Sequence, residues 1–246
     1  MPELPREERL AAALVELADT LVGDFDVIGF LYTLTEHCVE LLDVTAAGVL
    51  LGAPHGHIVE AAASDDRTRK LELSGVEWDE GPCRDCCRTG APVAEVRLGA
   101  QDAHRRWPRF ATRARDLGFS SVVAAPLRGH GQTLGALALF RDRPGPLEAT
   151  QVRLAQALAD TAAIGILQQR AVRDQMTLVA QLQQALDSRI IIEQAKGVLC
   201  CRRRIDAEEA FQLLRRHARR HQVRLTEIAR QVIDGTADAA LLNAGS

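Results

Sequence analysis

Ser188-Arg189-Ile190-Ile191-Ile192-Glu193-Gln194-Ala195-Lys196-Gly197-Val198-Leu199 runs, past two cysteines, into the basic cluster Arg202-Arg203-Arg204. The stretch reads as helix, and it sets small residues beside cations. Small residues let a partner backbone come close, and cations attract phosphate. A second helix opens at Asp206, where Asp206 and Glu209 form the N-cap and N3 pair of a capping box. Ala210, Phe211, Leu213, Leu214 and Ala218 supply its apolar face. Leu225, Ile228, Ala229, Val232 and Ile233 recur at i, i+3, i+4, i+7 and i+8, and Gly235 stops that helix. Thr236 to Ser246 read as a frayed end.

Working upstream, no proline occurs between Leu147 and Arg203, and Gly165 and Gly197 are the only glycines there. This predicts one very long helix. Val172, Met176, Val179, Gln183, Leu186 and Ile190 follow 4-3-4-3-4 spacing, a short coiled-coil seam with one polar break. A helix of this length needs a partner, which points to a parallel homodimer; the other reading is that the face packs on its own domain.

The 246 residues fit about two domains. The net charge of −3 is unevenly spread. Met176 to Ile233 carries eleven basic and six acidic residues, so this tail is +5 and the rest of the chain −8. A basic tail on an acidic body suggests a polyanionic partner for the tail alone. Lys70 and Lys196 are the only lysines beside 28 arginines, which singles out Lys196. No apolar run approaches the length of a membrane span. The N-terminus lacks a signal-peptide pattern. A cytoplasmic protein with six reduced cysteines is expected.

The body opens with an amphipathic helix over Arg9 to Leu21. A second helix follows over Val27 to Leu42, capped by Asp26, with Ile28, Leu31, Leu34, Cys38 and Leu41 facing inward. Then the period changes. Ala46 to Leu51 and His57 to Ala62 are apolar runs around Pro54-His55-Gly56, a hairpin signal. Ser64 to Leu73 reads as a short helix, followed by a loop rich in Gly and Pro. Pro92 to Val96 reads as a short strand, and Trp107 to Leu117 as a helix. Ser120 to Leu127 and Thr133 to Phe140 flank the turn Arg128-Gly-His-Gly131 and read as a buried antiparallel pair. The fold class is α+β: an antiparallel sheet flanked by helices, then a long helix leading into an all-α three-helix tail.

Cys83, Cys86 and Cys87 form a C-x-x-C-C group. With His104 they could hold zinc, but no second C-x-x-C completes a site, and no metal is assigned. Redox sensing by Cys83, Cys86 and Cys87 is retained as a candidate role, beside plain burial. No nucleotide-binding glycine loop is present, and His37, His55, His57 and His130 have no evident Ser or Cys partner. An enzyme is not expected.

The tail resembles the ANTAR domain of bacterial transcription antitermination regulators. The resemblance rests on Leu182 to Leu199, Ala210-Phe211, Leu214-Arg215, Leu225 and Ile228-Ala229. The preceding region resembles a GAF domain through Asp79-Glu-Gly-Pro-Cys83, Arg88 to Val93, Trp107-Pro-Arg-Phe110, Gly118 to Val122, Pro126-Leu127 and Leu134 to Leu137. Cys200 departs from the pattern, where Met is expected, as does His217, where a small residue is expected. Cys86-Cys87 is a stronger departure.

The resemblance implies a GAF-like sensor over residues 5–146, a linking signalling helix over 147–175 and an ANTAR-like RNA-binding domain over 176–234. It further implies that the tail of a homodimer binds paired stem-loops in nascent RNA and prevents a terminator from forming. Ala195 and Gly197 would let loop bases approach the backbone. Lys196 would meet a phosphate or base edge. Arg189, Arg202, Arg203, Arg215 and Arg216 would neutralise backbone charge. Against this, Ala195 and Gly197 could simply permit tight helix crossing, and Phe211 fits the core better than a base platform. The GAF-like domain would sense an unknown signal, with an unknown small-molecule ligand as one candidate, so the cofactor is unknown. Two other functions stay open: a DNA-binding transcriptional regulator, and a GAF-type thiol-dependent methionine sulfoxide reductase using Cys83, Cys86 and Cys87.

Overall fold

The computed structural model describes residues 5–20, 26–52, 58–143 and 145–242. The chain divides into two compact units, residues 1–171 and 172–246.

The first unit contains helices α1 (Arg6–Asp19) and α2 (Val27–Leu41), strands β1 (Ala46–Gly52) and β2 (Ile58–Ala63), and helices α3 (Asp66–Trp78) and α4 (Pro82–Thr89). Strand β3 (Val93–Arg97), helices α5 (Gln101–Arg106) and α6 (Pro108–Asp116), and strands β4 (Ser121–Gly129) and β5 (Gln132–Arg141) follow. Helix α7 (Ala149–Arg203) begins in this unit and continues into the second. The five strands form one sheet in the order β2-β1-β5-β4-β3, and every neighbouring pair is antiparallel.

The central strands are buried on both faces, which is why they read as unbroken apolar runs rather than alternating ones. Alternate side chains still go to opposite faces. Ala47, Val49, Leu51, Val123, Ala125, Leu137 and Leu139 meet Leu31, Leu34 and Cys38 of α2 and Leu158, Ala159 and Ala162 of α7. Ala46, Leu50, Val122, Ala124, Ala136, Ala138 and Phe140 meet Leu71, Cys83, Trp107, Phe110 and Ala114 on the other side. Gly135 is where β1 and β5 come closest, because a Cβ there would stand 2.1 Å from the Leu50 carbonyl oxygen.

The hairpin of β1 and β2 and the pair β4–β5 match the sequence reading; the Pro54-His55-Gly56 turn lies outside the described residues. Asp26 caps α2 as expected, accepting from Ile28 N at 3.0 Å. Ile28 itself is exposed, because it lies on the outward face of α2 with Tyr32, Glu36 and Glu40, each one turn apart. The helix expected over Ser64 to Leu73 starts after Asp65, whose side chain accepts from Thr68 N at 2.8 Å, and it runs on to Trp78.

Two further corrections concern the middle of the chain. Part of the Gly/Pro-rich stretch is helix α4, with Pro82 in its first turn and Gly90 as a left-handed C-cap. The helix expected over Trp107 to Leu117 is α6, and a second helix, α5, which the sequence reading did not foresee, precedes it; the two are separated at Trp107-Pro108, since a residue before proline is pushed out of helical geometry. The Glu80 carboxylate receives the free amides of Arg109 and Phe110 at 2.8 and 3.0 Å, which ties the Asp79–Cys83 segment to the start of α6.

The second unit is built from the end of α7 with α8 (Ala207–His221), α9 (Leu225–Asp234) and α10 (Ala239–Leu242). Asp206 caps α8 by accepting from Glu209 N at 2.8 Å, and Gly235 ends α9 in the left-handed region. The tail after Gly235 is not wholly frayed: Leu241 and Leu242 of α10 are buried in this unit's core. Among the described residues, no helix is long and apolar enough to cross a membrane.

Candidate nucleic-acid interface

Near its C-terminal end α7 presents one side to the core of the second unit and another to solvent. Ala195 and Leu199 are fully buried and pack with Leu214, Ile228, Ala229 and Val232. Ala195 therefore does not lie on an exposed face, contrary to the sequence reading. It stands one turn before Leu199 on the apolar stripe, and two residues along a helix is a rotation of about 200°. Ala195 and Gly197 consequently look in nearly opposite directions. Gly197 is exposed, and a Cβ built on it would have no atom within 4 Å. At this point the backbone of α7 is bare to solvent.

Lys196 lies at the border of the two sides. Its Nζ is 2.9 Å from both carboxylate oxygens of Glu193 and 6.0 Å from the centre of the Phe211 ring. An exposed ion pair of this kind is worth about 1 kcal/mol or less, so the ammonium can exchange Glu193 for a phosphate at small cost. Phe211 is half-buried and stands outside the cluster of aliphatic side chains that forms the core. Part of its ring is free to stack, so the core assignment made from sequence holds only for the other part.

Arg189 is exposed one and two turns before Glu193 and Lys196 on the same side of α7. Arg215 is exposed one turn beyond Phe211 on α8. Lys196 and Phe211 lie together, with Gly197 next to Lys196 in the chain, while Arg189 and Arg215 stand exposed farther along the same two helices. Arg216 is also exposed, but it is turned about 100° from Arg215. Arg202 is exposed about 120° round α7 from Lys196. Arg203 is half-buried, and its Nη1 donates to the Leu241 carbonyl at 3.2 Å. This contact ties the end of α7 to α10, a link the sequence reading missed because α10 itself was unseen.

In the first unit the thiol group turns inward. Cys83 and Cys86 are fully buried and Cys87 is half-buried. Burial pushes the Cys86 thiol up to about 12 and the Cys87 thiol up to about 11, and it holds Cys83 well above the ordinary range. A sensing or catalytic cysteine works as an exposed thiolate. Cys83 and Cys86 are core residues instead, and the redox role does not fit them. Cys83 Sγ lies 3.5 Å from the Ala136 carbonyl, to which its thiol donates. Glu72 is buried with Oε1 unpartnered, and burial raises its carboxyl to about 7 against the opposing effect of Cys83. Nearby, Asp85 gathers Arg88, Arg106 Nε at 2.6 Å and the Trp107 indole at 3.0 Å.

Two clefts open along β3 in this unit. One, of about 650 Å³, is lined by Glu95, Arg97, Arg115, Ser120 and Ser121. The other, of about 350 Å³, is mostly apolar and lies among Val93, Val123, Ala125, Leu147, Val152 and Ala155.

Residues 6–167 match the family model of the GAF domain. The chain belongs to the GAF domain family. Residues 180–233 match the model of the ANTAR domain, so a GAF body is joined to an ANTAR output domain. Among solved structures, the chain is similar to the GAF domain of a Coxiella burnetii phosphoenolpyruvate-protein phosphotransferase (15% identity, 68% of this chain and 98% of that one, TM-score 0.49). It is likewise similar to the corresponding domain from Acinetobacter (12% identity, 67% and 97%, TM-score 0.48). A third similar structure is the free methionine-R-sulfoxide reductase of Neisseria meningitidis with its substrate (18% identity, 68% and 91%, TM-score 0.49). No curated protein matches the chain in sequence. GAF and ANTAR domains together make the chain a regulator with a sensing body and an output domain.

Proposed function

We propose that the protein is a cytoplasmic, non-enzymatic transcription antitermination regulator whose ANTAR domain binds paired stem-loops in nascent RNA. The observation that carries this reading is the neighbourhood of Gly197. A bare stretch of helix backbone adjoins Lys196, whose ammonium lies 6.0 Å from the half-buried Phe211 ring, and Arg189 and Arg215 are exposed on the same two helices. Looped-out bases need a surface for stacking and close approach, while their phosphates need cations. The arginines on other faces, Arg202 and Arg216, add general attraction.

The protein acts as a parallel homodimer joined along α7. Val172, Met176, Val179, Leu186 and Ile190 are 42% to 67% exposed in the single chain, and they keep coiled-coil spacing. Two such stripes pressed together would bury what one leaves in water, and two ANTAR domains would grip two stem-loops with raised effective concentration. The GAF body receives the signal, with the two clefts along β3 as the sites where a small molecule could enter.

The test is a filter-binding competition between a two-hairpin RNA and duplex DNA, using the full chain. Preference for the RNA is expected. Changing both Arg189 and Lys196 to Ala should weaken RNA binding and reduce the salt slope by about two, without loss of helix content. Tighter, sequence-dependent binding to the duplex would replace this reading with that of a DNA-binding regulator. Sulfoxide turnover abolished by Cys83→Ser would replace it with the reductase.

A further inference from the structure

His217 stands where the family resemblance leads one to expect a small residue, and its surroundings give that departure a purpose. His217 and His221 are one turn apart on α8, with ring centroids 4.3 Å apart. Asp238, just ahead of α10, faces both. One nitrogen from each ring and a carboxylate oxygen all lie within 4.8 Å of one another. We infer that His217, His221 and Asp238 form a site for a divalent transition ion of the Zn²⁺ class, with water completing the coordination.

The donor set suits such an ion. Two imidazoles and a carboxylate are ordinary zinc ligands, with bonds of about 2.0–2.2 Å. Ligands at that radius in a tetrahedron sit roughly 3.4 Å apart, so the three groups need approach by at most about 1.4 Å. Side-chain rotation can supply that, because His221 and Asp238 are exposed. Arg220 places a positive charge near His217 and opposes a cation there, while the Asp238 carboxylate favours one.

The ion would fasten α10 to α8. Asp238 opens α10, and its carbonyl accepts from Leu241 N and Leu242 N at 2.9 and 3.1 Å. Leu241 and Leu242 then close the core of the second unit. The segment is already tied by Arg203, by Ala237, Leu241 and Leu242 in the core, and by bonds from Thr236 N and Ala237 N to the Gln231 carbonyl; the ion would add a further tie. With it, the helix is pinned just ahead of its first residue, and the ANTAR domain becomes more stable as the ion concentration rises. This inference does not depend on which nucleic acid the domain binds.

Equilibrium dialysis of the chelator-stripped full chain against Zn²⁺, followed by elemental analysis, tests it. One equivalent per chain is expected, and the melting temperature should rise with added Zn²⁺. His221→Ala and Asp238→Asn, both at exposed positions, should each weaken binding by at least about tenfold while helix content stays unchanged; even an outer-shell partner costs about 10–100-fold. Cobalt(II) in place of zinc should show no thiolate-to-metal charge-transfer band. Changing both Cys200 and Cys201 to Ser should leave affinity unchanged. No bound Zn²⁺, affinity unchanged in both ligand variants, a thiolate band, or loss of binding in the cysteine variant would each overturn the site.

Discussion

In the first unit Glu72, Asp85 and Cys83 lie under the helices that cover the sheet, together with Thr35, Thr68, Ser121 and Arg141. In the second unit every described residue of the buried cluster is Ala, Leu, Ile or Val, and Lys196, Glu193, His217, His221 and Asp238 stand at its rim. The contrast follows from size. A sheet with helices on both faces buries enough apolar surface to tolerate a few costly polar groups. A small bundle has no such reserve, so its chemistry is displaced to the surface, where ligands can reach it. Buried thiols are silent for the same reason that surface cations are available.

The largest effects should come from breaking either core, and they should stay local. Phe110→Ala removes a ring that packs on Trp107 and Phe140 and should cost about 3–5 kcal/mol. Leu214→Ala should cost about 2–5 kcal/mol. Hydrogen exchange separates the two. Leu214→Ala should speed exchange of α8 and α9 amides and leave β4 and β5 protected. If the sheet amides quickened as well, the two cores would have to be treated as one cooperative structure.

Next in size is the buried carboxyl. Glu72 ionises near 4.5 when unfolded and is raised to about 7 by burial in the folded chain. Between those values the folded state keeps a proton that the unfolded state has lost, so stability falls as pH rises through this window and levels off above it. Glu72→Gln should abolish that decline and leave the protein more stable above pH 7, by roughly 3 kcal/mol. Urea titrations at several pH values would show it; an undiminished slope in the variant would assign the titration to other groups.

Much of this organisation was legible in the chain. The strands declared themselves as apolar runs bounded by turns, and the capping aspartates Asp26 and Asp206 sit where the helices begin. Helix α4 escaped because Pro-Cys-Arg-Asp-Cys-Cys-Arg-Thr is only eight residues long and its one apolar repeat, Cys83, Cys86 and Cys87 at i, i+3 and i+4, spans barely one turn. Helix α10 escaped because four residues carry no period at all; its order comes from Arg203 and from the core it completes. Ala195 was misplaced although the signal was available. Ile191, Ile192, Ala195 and Leu199 form a stripe that Gly197 cannot share. The His217 and His221 spacing was equally visible, but Asp238 lay in a segment read as structureless.

The smallest effect is the sharpest test of the contrast between buried and presented residues. Gly197 has helical geometry and open space around its absent Cβ. Gly197→Ala should therefore stabilise the second unit by about 0.5–1 kcal/mol, since alanine loses less chain entropy in a helix and meets no neighbour here. If bases settle against the α7 backbone, the added methyl occupies their place, and RNA affinity should fall while the melting temperature rises. A merely structural glycine would give the gain in stability with affinity unchanged. A glycine needed for tight helix crossing would give a loss of stability, but the empty space beside it already speaks against that. Opposite movement of the two readouts is the signature of a residue kept small for a ligand.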